Sequence, residues 1–435
     1  MKSNLLSFFV IKVSVLLFLL LSCNDISTKY DLPENHGISS ERISKLGVYF
    51  ENKIKENKIP GAVVLIRKNN NIIFQKEFGY SNYHKKIKFK KDDIFRIASM
   101  TKLISNLAVL DLIEKGLISL DDPIENYIPK FKNPTILETF NPLDSSYTSK
   151  KALNKITIKH LLTHTSGLTY GTSSVSYNDN SSDLAAIYTK AGIVELYSSK
   201  DIKMEENIDK LAILPLSHES GTKYSYGMST DVLGHLIEII SGQTLDIYLS
   251  NRFFTPLGMK DTYFYLPDSK ADRLVPVQTN DNKIWSFYET DDYDVDYPIK
   301  GAKRYFSAGA GLSSTALDYS IFLQMILNNG TYNGISVLSP KIIDDIKIDQ
   351  LPKNTMVYQK PLAHGLATGL ITEDLIDRGE FGVPGTIHWE GHFSTLFWAD
   401  PSNDLIVIIL EQLLNNDFNS FRNDFQKIIY DSFIY

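Results

Sequence analysis

One cysteine in 435 residues leaves no partner for an internal disulfide, so this chain must be held by its core rather than by cross-links. Surplus positive charge is also missing. Its 45 Lys and Arg stand against 51 Asp and Glu, for a net charge of −6, and no basic cluster stands out. A nucleic-acid partner is therefore not expected. Beyond the N-terminus no window holds 18 uninterrupted apolar residues, so a second membrane span is not expected. There is no H-E-x-x-H zinc motif. The nearest approach to G-x-S-x-G is Gly167-Leu-Thr-Tyr-Gly171, which lacks the serine and argues against an α/β-hydrolase. No internal repeat is visible.

The N-terminus carries a different kind of signal. Lys2 and Lys12 precede a short apolar run, Val13 to Leu21, which ends in Leu20-Leu21-Ser22-Cys23. Residues 1–22 read as a signal peptide too short to span a membrane, and Cys23 lies where a bacterial lipobox places its acylated residue. Residues 23–37 read as a lipid-anchored tether, followed by one domain over 38–435. Removing residues 1–22 takes away two lysines and no acids, so the mature chain carries −8. The expectation is a monomeric lipoprotein of the bacterial cell envelope, facing the periplasm or the exterior. Hydrophobic content of 43% and charged content of 22% suit a globular domain of this kind.

Within 38–435, apolar spacing predicts helices over 39–57, 103–114, 156–162, 231–240 and 320–327, with a last one from about Asn415. Two hairpins are predicted. Residues 61–66 and 72–79 flank Lys68-Asn69-Asn70-Asn71, and residues 395–399 and 405–410 flank Asp400-Pro-Ser-Asn-Asp404. The polar stretch 171–183 reads as a surface loop. Strands at both ends of the domain with helices between them predict an α/β (α+β) fold. An antiparallel sheet is built from about 38–115 and 300–435, and a mostly helical lobe from about 116–299 is inserted into it.

The chemistry concentrates in Phe95-Arg-Ile-Ala-Ser99-Met-Thr-Lys102. Residues i and i+3 share a helix face, so Ser99-x-x-Lys102 holds a hydroxyl beside an amine in a first helical turn. A serine becomes a useful nucleophile when a neighbouring base takes its proton, and helix-start amides favour the developing negative charge. Alone, this tetrad is also what a capping serine and a surface lysine would look like. Two downstream stretches could complete a site. Tyr224-Ser-Tyr226-Gly-Met228 leads into a helix, and His388-Trp389-Glu390-Gly391-His392 precedes the C-terminal hairpin.

These stretches, with Leu120-Asp-Asp-Pro123, Ile156–Leu168, Pro256–Thr262 and Ala308–Ala316, carry a family resemblance. From about residue 38 onward the chain resembles the serine β-lactamase-related group, which includes class C β-lactamases, related peptidases and family VIII carboxylesterases. The resemblance implies a β-lactamase/transpeptidase-like fold, with Ser99 as acylated nucleophile and Lys102 as its base. Counting back from Asp231-Val-Leu-Gly234 along the esterase pattern Tyr-Ser-x-x-x-Asp-Val-Leu-Gly puts the catalytic tyrosine at Tyr226 rather than Tyr224. The third box aligns as Trp389-Glu390-Gly391, and by analogy the amides of Ser99 and His392 form the oxyanion hole.

Two departures shape the expected function. Met228 stands where β-lactamases keep an amide side chain, and Trp389 stands where they keep a lysine. Both replacements remove groups suited to an anionic β-lactam. The reading is a serine hydrolase that cleaves a carboxylic ester or amide through an acyl-enzyme on Ser99, esterase-like rather than an efficient β-lactamase. No cofactor or metal is expected. The alternatives are a D-amino-acid peptidase of the DD-carboxypeptidase type, a β-lactamase, and a slowly turning-over penicillin-binding or sensor protein. His160 and His164 have the i, i+4 spacing of metal ligands, but the resemblance assigns them a structural place.

Overall fold

The structure is a computed structural model. It describes residues 29–434 apart from 172–180, 282–283, 292, 358–359, 381 and 415–417. The segment read as a signal peptide, Cys23 and most of the stretch 171–183 lie outside the described residues.

The sheet is made from both ends of the domain. Its strands are β1 (Gly61–Lys68), β2 (Asn71–Asn82), β3 (Ile87–Lys88), β4 (Gly369–Leu370), β5 (Ile387–Gly391), β6 (Thr395–Asp400) and β7 (Leu405–Leu410). Their order is β4-β5-β6-β7-β1-β2-β3, and every neighbouring pair is antiparallel. The β1–β2 turn uses Asn69 and Asn70 at φ 50° and 64°. A two-residue turn of this hand needs positive φ at both positions, and asparagine tolerates it.

All eight residues of β1 and all six of β7 are buried, because both faces of the sheet are covered. Ala62, Val64 and Ile66 join Leu46 and Phe50 of α1 (Lys45–Lys55) and Phe425 and Ile429 of the C-terminal helix (Phe418–Tyr430) in one core. Val63 and Leu65 join a larger core with α2 (Thr101–Glu114), α3 (Ser229–Ser241) and α4 (Ala316–Leu327). The terminal helix starts at Phe418, close to where the sequence places it. Most of the regular elements in the middle of the chain are helices, as expected. It also holds an exposed hairpin, Thr135–Asn141 with Ser146–Lys151, that the sequence reading does not foresee.

The central helix α2 is apolar-periodic in sequence, yet it is buried on every side from Thr101 to Leu112. Its polar residues face partners instead of water. Ser105 donates to Ala308 O at 2.9 Å and Asn106 to Ala367 O at 3.1 Å. Asp111 receives Arg252 at 2.8 Å, Lys115 at 2.7 Å and the Tyr248 hydroxyl at 2.7 Å. Buried polar groups are tolerated when they are paired in this way.

Candidate active site

Ser99 is held from four directions. Phe95 and Arg96 pair with Ser314 and Ser313 as a short antiparallel ribbon. The Gln412 side-chain amide accepts from Arg96 N at 3.0 Å and donates to Arg96 O at 3.1 Å, as a neighbouring strand would. The Ile97 amide donates to Leu312 O at 3.0 Å, and the Tyr319 hydroxyl to Met100 O at 2.9 Å. Between these anchors the chain makes a tight turn, Ala98–Met100, before α2 begins at Thr101. Ala98 has φ 47°, a conformation uncommon for a residue with a side chain and often found at functional turns. Ser99 is half-buried there, the one residue of 93–100 that is not buried.

Lys102, 2% exposed, points back under the serine. Its amine reaches Ser99 Oγ at 3.3 Å, the Tyr170 hydroxyl at 3.2 Å and Gly309 O at 2.6 Å. Burial brings its pKa down to about 7, against the opposing pull of the Asp231 carboxylate. Asp231, in α3, accepts from the Ser307 hydroxyl at 2.8 Å and from Gly309 N at 3.2 Å, and burial pushes its own pKa up. Asp231 thus pins the segment whose carbonyl holds the lysine.

Tyr226 is hydrogen-bonded to Ser99 and to the Trp389 side chain. The Lys102 amine sits 4.6 Å from its ring centroid. Burial treats Lys102 and Tyr226 oppositely. It lowers the lysine toward neutrality but drives the tyrosine upward, so Tyr226 is a neutral phenol in the resting site.

The third stretch is the end of an edge strand. β4 pairs only with Ile387 and His388, so beyond His388 the outer edge of β5 faces the Ala98–Met100 turn. Gly391 is where the two backbones meet: a Cβ there would fall 2.1 Å from Thr395 Oγ1 and 2.5 Å from Ile97 O. His392 begins the three-residue loop to β6, with its Nε2 2.7 Å from the Tyr293 hydroxyl. Burial holds the His392 pKa down at about 4, so the ring is neutral.

Ser99, Lys102, Tyr226 and Trp389 therefore touch in sequence, Gly391 packs on the backbone two residues before Ser99, and His392 follows Gly391 in the chain. Met228 does not reach the surface of the cleft. It is fully buried at the N-cap of α3 among core side chains, because the chain turns into the helix immediately after Tyr226. His160 caps its own helix, its ring accepting from Thr157 N at 3.3 Å, and among the described residues no group of metal-binding side chains occurs. Sequence reasoning missed Tyr170 and gave Asp231 no role. Tyr170 lies 68 positions from Lys102, and no local spacing links the two.

A family model described as Beta-lactamase matches residues 48–430. Protein Rv1367c of Mycobacterium tuberculosis (strain ATCC 25618 / H37Rv) is 31% identical over 370 residues, covering 81% of this chain and 86% of that protein. Esterase EstB of Burkholderia gladioli is 27% identical over 383 residues, covering 84% and 89%. Among solved structures, EstCE1, described as a hydrolase with promiscuous acyltransferase activity, superposes with a TM-score of 0.76 at 22% identity. The match covers 90% of this chain and 99% of that one, which is a likeness of fold.

Proposed function

This chain belongs to the Beta-lactamase family, and we propose that within it the chain is an esterase-like serine hydrolase working through an acyl-enzyme on Ser99. The observation that carries this reading is the buried Lys102 amine, 3.3 Å from Ser99 Oγ and with its pKa near 7. A neutral amine has a lone pair for the serine proton, and a base poised near the working pH is the most effective. Ser99 Oγ attacks the substrate carbonyl as its proton passes to Lys102 Nζ. The amides of Ser99 and His392 take the oxyanion. Tyr226, a neutral phenol, gives its proton to the departing oxygen and recovers one from Lys102. Water then enters along the same route and releases the acid, restoring the serine.

The test is covalent. A fluorophosphonate adduct is expected on the peptide containing Ser99, together with hydrolysis of short p-nitrophenyl esters that exceeds turnover of a cephalosporin or release of D-alanine from muropeptides. An adduct elsewhere in the chain would refute the assignment. A stable adduct without ester turnover would favour a binding or sensor role.

We further infer that Cys23 is acylated and tethers the enzyme to a membrane of the cell envelope, on the strength of the Leu20-Leu21-Ser22-Cys23 sequence. Replacing Cys23 with serine is expected to move the protein from the membrane to the soluble fraction. Unchanged membrane association would end that reading.

A further inference from the structure

Five aromatic side chains close a ring beside the candidate nucleophile. Tyr226 lies 4.9 Å from His164 between ring centroids, His164 5.9 Å from Tyr224, and Tyr224 6.3 Å from His364. His364 lies 5.3 Å from Trp389, and Trp389 returns to Tyr226 at 5.8 Å. The two histidines are the floor, at 0% and 1% exposure, and stand 5.8 Å apart. Tyr224 and Trp389 keep part of their surface open. Neither His164 nitrogen has a hydrogen-bond partner, so that ring contributes an uncharged aromatic wall rather than a proton relay. His364 gives its Nδ1 to Gly365 O at 2.6 Å. Lys102 and Arg96 are buried and engaged, and Lys223, which precedes Tyr224, is exposed to solvent.

We propose that Tyr224 and Trp389, backed by His164 and His364, form an aromatic subsite for a planar, uncharged group on the alcohol side of the substrate ester. This rests on the hydrolase reading above. The side of the ester follows from Tyr226, which belongs to the ring and protonates the departing oxygen, so the substituent on that oxygen lies against the ring's neighbours. Planarity follows from the aromatic walls, whose faces and edges pair best with another flat π-system. The floor itself, His164 and His364, is held uncharged by burial and offers a carboxylate no ionic partner.

Benzyl acetate and cyclohexylmethyl acetate share an acyl group and differ chiefly in flatness. The wild type is expected to favour benzyl acetate in kcat/KM by about tenfold, the order that one aromatic contact supplies. In Tyr224→Leu that ratio is expected to fall to about twofold or less, and 4-carboxybenzyl acetate is expected to be the poorest of the three esters for the wild type. Equal rates on the first two esters, or a preference that survives Tyr224→Leu, would overturn the subsite. Should Tyr224→Leu fail to fold, competitive inhibition of the wild type by benzyl alcohol against cyclohexylmethanol gives the same decision: equal inhibition refutes it. Ser99→Ala separates the two claims. Ester cleavage that persists in that variant removes the hydrolase reading itself, whereas Ser99-dependent cleavage without benzyl preference removes only the subsite.

Discussion

Ser99→Ala and Lys102→Met are each expected to lower ester hydrolysis by about four orders of magnitude, and the double variant no further, because groups that act as one unit are lost together. The geometry requires this coupling. The lysine amine reaches the substrate only through Ser99 Oγ and the neighbouring Tyr226, since its other contacts, the Tyr170 hydroxyl and the Gly309 carbonyl, are internal. Steady-state kinetics on one ester, with single and double variants compared at fixed pH, checks it. Losses that multiply in the double variant would mean the two residues serve separate steps.

The same lysine sets a pH dependence. Its proton must be absent for it to act as a base, so kcat/KM is expected to rise with pH through about 7, where burial has brought the amine. Stability shares the window. In the unfolded chain a lysine holds its proton up to about pH 10.4, whereas native Lys102 gives it up near 7. Between those values the unfolded state binds more protons, so this group makes the fold more stable as pH rises and less stable as pH falls toward 7. Below 7 the full cost of charging a buried amine is present. Lys102→Met removes that cost. It is therefore expected to raise Tm, most clearly at pH 7 and below, while abolishing activity. A gain in stability at the expense of function marks a residue kept for its chemistry.

How much of this was legible beforehand divides along physical lines. The hairpins of β1–β2 and β6–β7 announce themselves as apolar runs around Asn- and Asp-rich turns, because turn chemistry is local. Ser99 and Lys102 are legible for the same reason, since three residues on a helix fix their distance. Tyr170, Asp231 and Gly309 were not readable as the lysine's surroundings. They arrive from separate elements, and only packing brings them together. Met228 shows the opposite failure. A position two residues past a site tyrosine looked like cleft, but the onset of α3 turns it into the core. The pKa contrast between Lys102 and Tyr226 was likewise invisible, because burial raises an acid and lowers a base, and burial is a tertiary property.

Gly391→Ala is expected to reduce ester hydrolysis by about a hundredfold or more and to cost about 1–3 kcal/mol of stability, as overpacking between backbones does. The site depends on β5 running close to the turn that carries Ser99, and Gly391 is the point of approach. The backbone conformation is not what demands glycine there, for its φ is not in the left-handed region; space is. A methyl group would meet Thr395 Oγ1 at 2.1 Å and the Ile97 carbonyl at 2.5 Å. The first contact can be relieved by trimming a side chain. The second cannot, because it is main chain one residue before Ala98 and two before Ser99. The added methyl must therefore push the edge strand, with Trp389 and the His392 amide, away from Ser99. Trimming Thr395 to serine leaves the hydroxyl in place, and trimming it to glycine clears only the first contact, so Gly391→Ala with Thr395→Gly is expected to recover little activity. Measuring kcat/KM and Tm for the single and double variants decides the matter. Full recovery in the double variant would show that the close approach of β5 to the Ser99 turn is not what the reaction requires.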